Sequence, residues 1–453
     1  MHELVSTFSN RSEVSATNEY VSFSNRSEAS VMDELVISLQ EKLETVAPLP
    51  TRACIFKVPI ALRKVHEEAY TPQVVSIGPY HCGNERLKPM EEHKLRYLSD
   101  FFRRRPKNSL EVFIKHLREL EAHARQCYGQ NIKEKSDAFV EMMLLDGCFI
   151  IELFLKYVDQ RKDVLERDPL FHIASMIPSI RVDMLLLENQ LPLFILEHIF
   201  ILCGDGGIFD YPHFLELALN FFNFRHLLSM ADDTNLTVGS QEVEHFLDLL
   251  RECYIPQRKL RLSMLQEHLK VIPTASELRK AGVKFKRARG SSIFDLQFTQ
   301  GTLEMPALIL EDTTELLFRN LVAFEQCAKN SRNQYITHYL VLMDFLINSP
   351  NDVATLRHAG IIENWLGDDE QVSELFNKIF MGVTVFAGSF YVNEVTEKVN
   401  AYYQTRWHSF RAMLGRDYFY SPWSTASSIA VIIVVLCTIV QAVGSVFSMV
   451  KGK

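Results

Sequence analysis

At 453 residues with 47% hydrophobic side chains, the chain has ample material for a packed core, either one large domain or two to three ordinary ones. A formal net charge of −8 provides no global basic field to hold DNA or RNA, so nucleic acid is set aside as a partner. The eight cysteines are scattered without a Cys-x-x-Cys pair, which argues against a disulfide framework and a zinc site and for reduced, mostly buried thiols. No metal and no cofactor are expected.

Residues 1–30 are rich in Ser, Asn and Glu, and Phe8-Ser9-Asn10-Arg11-Ser12-Glu13 recurs as Phe23-Ser24-Asn25-Arg26-Ser27-Glu28. Too little apolar surface is present there to offset ordering entropy, so a disordered leader is expected. It carries no basic n-region or apolar h-region of the kind that marks a cleavable signal peptide. Asn10, Asn25 and Asn235 stand in glycosylation sequons that matter only outside the cytosol. A mainly helical domain over 31–416 follows. Leu35, Val36, Leu39 and Leu43 recur at helical spacing, and Pro48 and Pro50 stop that helix. Residues 54–83 read as irregular, with Pro59, Pro72 and Pro79 as punctuation. Helices are predicted after Pro89 and from Leu110 to Cys127, then from Phe139 to Val158, where apolar residues lie all round and mark a segment buried on every side.

Met184 to Leu202 is divided by Pro192, with Glu188, Asn189 and Gln190 as a polar joint and Asn189 as the N-cap of the second helix. Further helical segments fill 211–272. Thr274 with Glu277 has capping-box spacing, and Gly282 is a natural stop. Alternating runs between Val283 and Leu310, punctuated by Gly290 and Gly301, predict a small antiparallel β insertion over about 283–311. Asp312 with Glu315 reads as another capping box, and Ser349-Pro350 opens a helix that ends near Gly360.

The segment 417–453 is predicted to hold a membrane anchor. From Ile429 to Val450 the sequence is almost wholly apolar, and 22 helical residues would span about 33 Å, enough for a hydrocarbon core of about 30 Å. Tyr418, Phe419, Tyr420 and Trp423 precede the span at headgroup depth, while Arg406, Arg411 and Arg416 favour a cytosolic body. The expected localisation is therefore a single-pass protein of the plasma membrane or endomembranes, with the lipid bilayer as a partner. Within the span Gln441, Gly444 and Ser448 suit lateral self-association.

Candidate chemistry is sparse. No phosphate loop, nucleophile elbow, His-Glu-x-x-His pair or kinase signature is present. Tyr80, His81 and His93 form the most polar-rich constellation, readable as an acid–base or ligand contact because imidazole titrates near neutrality, or as side chains that satisfy a turn set by Gly78 and Pro79. Asp146, Glu188, Asn189 and Gln190 sit in strongly apolar surroundings and must find hydrogen bonds. They tie helix ends inside a core or line a ligand site, and the first reading carries more weight.

Several ordered motifs carry a resemblance. Ile55 to Pro59, Ala69-Tyr70-Thr71-Pro72, Ser76-Ile77-Gly78-Pro79-Tyr80-His81 and Met90-Glu91-Glu92-His93-Lys94 open it. Leu145-Asp146-Gly147-Cys148-Phe149, Leu187-Glu188-Asn189-Gln190-Leu191-Pro192 and Ala281-Gly282-Val283-Lys284-Phe285 continue it, followed by Arg319-Asn320-Leu321, Phe324-Glu325-Gln326-Cys327, Gly360-Ile361-Ile362 and Pro422-Trp423. From about Arg52 onward the chain resembles the plant family called domain of unknown function 247, of the UPF0481 type. The resemblance brings no catalytic residues. Some grass relatives are implicated as pollen-side determinants of self-incompatibility, which implies recognition rather than turnover. The expected role is a membrane-anchored plant protein of recognition or signalling with a protein partner; an enzyme of unfamiliar class and a membrane-associated scaffold are the alternatives.

Overall fold

The computed structural model describes residues 35–43, 52–104, 109–159, 168–204, 213–223, 243–255, 270–288, 292–328, 334–385, 391–405 and 422–451. The chain divides into two units, Met1–Leu49 and Pro50–Lys453. In the first, residues 35–43 are helical with Leu35, Val36, Leu39 and Leu43 exposed. The Ser-rich leader and the three sequons lie outside the described residues.

The second unit is built on long helices: α1 (Lys88–Arg103), α2 (Leu110–Gln126) and α3 (Ser136–Asp159). Proline in the first turn of α1 and the Ser109 hydroxyl accepting from the Val112 N–H at the start of α2 explain where those helices begin. In α3 the apolar residues surround the axis, and the helix is buried against α1, α2, α5 (Leu193–Leu202) and α6 (Phe214–Phe222), with α4 (Met176–Asp183) lying just ahead of α5 in the chain. Phe154 of α3 meets Phe214, Phe221, Phe222 and Phe246 at ring-centroid distances of 4.4 to 5.9 Å, the last being the first residue of α7 (Phe246–Tyr254).

The Thr274 and Glu277 capping box opens α8 (Ala275–Lys280), and Gly282 ends it at a φ of 93°. Strands β1 (Lys284–Arg287), β2 (Gln297–Thr299) and β3 (Thr302–Met305) follow, ordered β1-β3-β2 in one sheet. β2 and β3 are antiparallel across Gln300-Gly301, both at positive φ, as a two-residue hairpin turn demands. The rest of the region departs from the expected antiparallel insertion. β1 runs parallel to β3, and β4 (Leu308–Leu310) leaves to pair in parallel with β5 (Ile362–Asn364). Alternation reports which face of a strand is buried, not its direction, and the β5 partner lies some fifty residues downstream. Between β4 and β5 run α9 (Thr314–Cys327), α10 (Tyr335–Leu346) and α11 (Pro350–His358). The Ser349 and Asp352 box caps α11 and Gly360 follows it at positive φ, whereas α9 starts from Thr313 without a side-chain cap, so the Asp312 and Glu315 box is not formed. The last described helices are α12 (Asp369–Ile379), α13 (Asn393–Gln404) and α14 (Pro422–Lys451).

The membrane expectation is corrected here. Among the described residues no helix is long and apolar enough to cross a membrane. The transmembrane helix over about 429–450, the single-pass anchor, the lipid bilayer as partner and the membrane localisation are accordingly withdrawn. Gln441 is exposed, and the side chains of Gly444 and Ser448 lie outside the described residues, as do those of the aromatic and arginine flanks.

Because Phe154 is fully buried at the centre of an aromatic cluster, Phe154→Ala is expected to cost about 3 to 5 kcal/mol of stability, read from the denaturant midpoint of urea unfolding.

Candidate functional site: a polar seam beneath residues 52–83

Residues 52–83 contain only short helical turns, at Ile60–Arg63 and Glu67–Tyr70, yet Val58, Val75, Ile77 and Gly78 are buried. Buried backbone N–H groups without a strand or helix partner must be met by side chains. Those side chains come from α3, from the α4–α5 connection and from α9. The Asp183 carboxylate accepts from the N–H groups of Gln73, Val74 and Val75 at 2.6 to 3.1 Å. Asn189 Oδ1 accepts from the Ile77 N–H at 2.7 Å, while its Nδ2 donates to the carbonyls of Val75 and Asp183, both at 2.9 Å. Asp146 Oδ2 accepts from the Gly78 N–H at 2.8 Å. Glu188 Oε1 accepts from the Val58 N–H at 2.6 Å and from Arg63 at 2.7 Å.

Lys94 of α1 completes the seam. It is 2% exposed, and its ammonium donates to Asp146 Oδ1 and the Ser76 carbonyl at 2.6 Å and pairs with Glu91 at 2.7 Å. Burial alone would lower its pKa, but Asp146 and Glu91 reverse that and raise it, while burial also raises the Asp146 carboxyl against the opposing pull of Lys94 and the Gly78 N–H. Gln190 donates to the carbonyls of Met184 and Leu186 and accepts from the Phe246 N–H, and its own carbonyl accepts from Tyr128 Oη. Asn320 of α9 accepts from the Leu187 N–H and donates to the Ala69 carbonyl. Gly78 has a φ of 76°, and a Cβ there would stand 2.3 Å from the Gln190 carbonyl oxygen.

The candidate histidines separate. His81 Nε2 lies 3.3 Å from Glu188 Oε2 and thus joins the seam; its neighbour Tyr80 sits edge-on to Tyr128 and donates to the Ile55 carbonyl at 3.4 Å. His93 is partly exposed on α1 and has no hydrogen-bond or ion-pair partner among the described residues. Asn189 does not cap α5, whose N-cap is Pro192; its amide is spent on the 73–78 segment instead. Asp183 is a member of the seam that the residue pattern did not single out, whereas Lys94 and Asn320 stood in the Met90–Lys94 and Arg319–Leu321 motifs without a site role of their own. Asp183 carries the same signal as Asp146, a carboxylate inside an apolar run, between Ile180 and Met184.

Chemically, the seam is a set of acceptors saturated by main-chain donors. Lys94 pairs with Asp146 and Arg63 with Glu188, Asp183 is held by main-chain N–H groups, and no serine, cysteine or lysine stands beside His81 as a hydrogen-bonded nucleophile among the described residues. No group of three or more His, Cys, Asp or Glu side chains among the described residues could hold a metal ion.

Comparison with known proteins decides the family. The family of plant proteins of unknown function termed domain of unknown function 247 matches residues 55–437. The chain belongs to this family. Among its relatives in Arabidopsis thaliana, UPF0481 protein At3g47200 is 33% identical over 425 residues, covering 88% of this chain and 87% of that protein. Putative UPF0481 protein At3g02645 is 26% identical over 508 residues, covering 91% and 93%. No solved structure matches. In this member of the 247 family the matched region contains the whole seam, from Val58 to Asn320.

Two outcomes test the seam. Asp146→Ala leaves the buried Lys94 ammonium with Glu91 and the Ser76 carbonyl only and the Gly78 N–H unmet, and is expected to cost about 3 kcal/mol by urea denaturation, whereas Lys94→Met with Asp146→Leu recovers part of that loss. Glu188 is pushed up by burial, but His81, the Val58 N–H and Arg63 together hold it below its ordinary value of 4.5. A lowered carboxylate stabilises above its unfolded pKa and loses that contribution as pH falls through the folded one. The gap in melting temperature between wild type and Glu188→Gln should therefore be full at pH 7 and close on acidification below about pH 4.

Proposed function

We propose that this chain is a plant recognition or signalling protein whose folded body binds another protein through its surface. The observation that carries the reading is Trp365, 68% exposed at the end of β5, where its N–H donates to the Leu310 carbonyl at 2.9 Å and fixes it to the β4–β5 pair. Tryptophan is the residue type most enriched at energetic centres of protein interfaces, and a rigid mount lowers the entropy lost on binding. Support also comes from the seam, whose ionisable side chains hold backbone rather than face a cavity. Recognition therefore accounts for an exposed indole on a backbone held by its main-chain N–H, and for a polar cluster spent on main-chain groups, with one assumption.

The test is a photo-crosslinking amino acid placed at Trp365 in plant tissue, followed by affinity measurement with the protein it captures. Trp365→Ala is expected to weaken that complex by at least about thirtyfold, the size of a hot-spot loss. Undiminished affinity of Trp365→Ala for every protein crosslinked from that position overturns the reading.

A further inference from the structure

The first described stretch of the Pro50–Lys453 unit is joined to the end of α2 by main-chain bonds. The N–H groups of Cys54 and Ile55 both donate to the Cys127 carbonyl, at 2.8 and 2.9 Å, and the Gly129 N–H donates to the Ile55 carbonyl at 2.8 Å. Ile55 and Tyr128 form a parallel bridge. In that register Cys54 stands beside Cys127, and one N–H to carbonyl bond between two residues holds their Cα atoms roughly 5 to 6.5 Å apart, inside the separation of roughly 4.4 to 6.8 Å that a disulfide spans. Both cysteines are free and buried, and the Cys127 thiol donates to the His123 carbonyl at 3.5 Å.

We infer that Cys54 and Cys127 form a peroxide-reactive dithiol that closes into a disulfide and fastens residues 52–58 covalently to α2. The chemistry is balanced by a hydroperoxide as oxidant. Cys127 is the sulfur oxidised first: the neighbouring Cys54 thiol lowers its pKa, with Arg52 assisting, whereas Cys127 and burial raise that of Cys54. The Cys127 thiolate attacks one peroxide oxygen, the O–O bond breaks, and a sulfenic acid and hydroxide result. Cys54 sulfur then attacks the sulfenic sulfur, the S–O bond breaks, and the displaced hydroxide takes the Cys54 proton as water. In sum two thiols and one hydrogen peroxide give one disulfide and two waters.

The link would act on the segment that the seam holds. Val58, four residues beyond Cys54, is bound by Glu188, and His245 Nε2 lies 3.1 Å from the Cys54 carbonyl oxygen. Oxidation thus adds to the hydrogen bonds at the start of the unit a covalent bond indifferent to pH.

The experiment treats the full-length protein with hydrogen peroxide and maps it without reduction. The expected product is lighter by two hydrogens, joins the Cys54 and Cys127 peptides, and reverts with dithiothreitol. Its unfolding equilibrium moves toward the folded state by roughly a hundredfold, as for a disulfide closing a long loop. Cys253→Ser behaves as wild type, and in Cys54→Ser dimedone labels Cys127 as the trapped sulfenic acid. Alkylation of both Cys54 and Cys127 in the unfolded protein after peroxide has consumed the exposed Cys82 overturns the inference, as does a linkage confined to other cysteines.

Discussion

A chain segment that enters a protein interior without helix or strand must have its N–H groups met from outside itself, and residues 58–78 impose that constraint here. Five side chains from distant positions answer it: Asp146, Asp183, Glu188 and Asn189 accept, and Lys94 neutralises the deepest carboxylate while binding the Ser76 carbonyl. The other tertiary features follow. α3 must be buried for Asp146 to sit at the seam, and α4 must end at Asp183 so that the 183–190 turn can face the segment. α9 must approach closely enough for Asn320 to bridge Leu187 and Ala69.

This arrangement explains why polar residues in the apolar runs resemble a catalytic constellation when read linearly. Carboxylates, amides and imidazoles at Asp146, Glu188, Asn189 and His81 are the side chains an active site would use, and they do converge. They converge on main-chain donors instead of on a cavity. The cost of leaving such donors unmet is about 1 to 3 kcal/mol each, so a saturated seam is a large fraction of the stability of a typical domain.

Much of the helical architecture was legible because its signals are local. Pro89, the Thr274 and Glu277 box, Ser349-Pro350 and Gly360 each act through neighbouring backbone, and each element begins or ends there. Features decided by distant partners were not legible. Asn189 resembles an N-cap until the 73–78 segment is placed against it, β1 and β4 resemble hairpin members until β3 and β5 claim them in parallel, and Lys94 looks like a surface residue of a polar helix until Asp146 arrives from α3. The apolar tail shows the converse. Composition over 429–450 suggested a span, whereas among the described residues no helix is long and apolar enough to cross a membrane.

The Asn320 amide also sets a timetable. Its Nδ2 donates to the carbonyl of Ala69, 251 positions earlier, at 2.7 Å. At a ribosomal rate of about 5 to 20 residues per second, the early segment waits on the order of ten to fifty seconds for that clasp to be synthesised. Over that interval the Ala69 carbonyl is served by water, whereas the N–H groups of 73–78 already have Asp146, Asp183 and Asn189 to meet them, so only this clasp waits until the α9 region has left the exit tunnel.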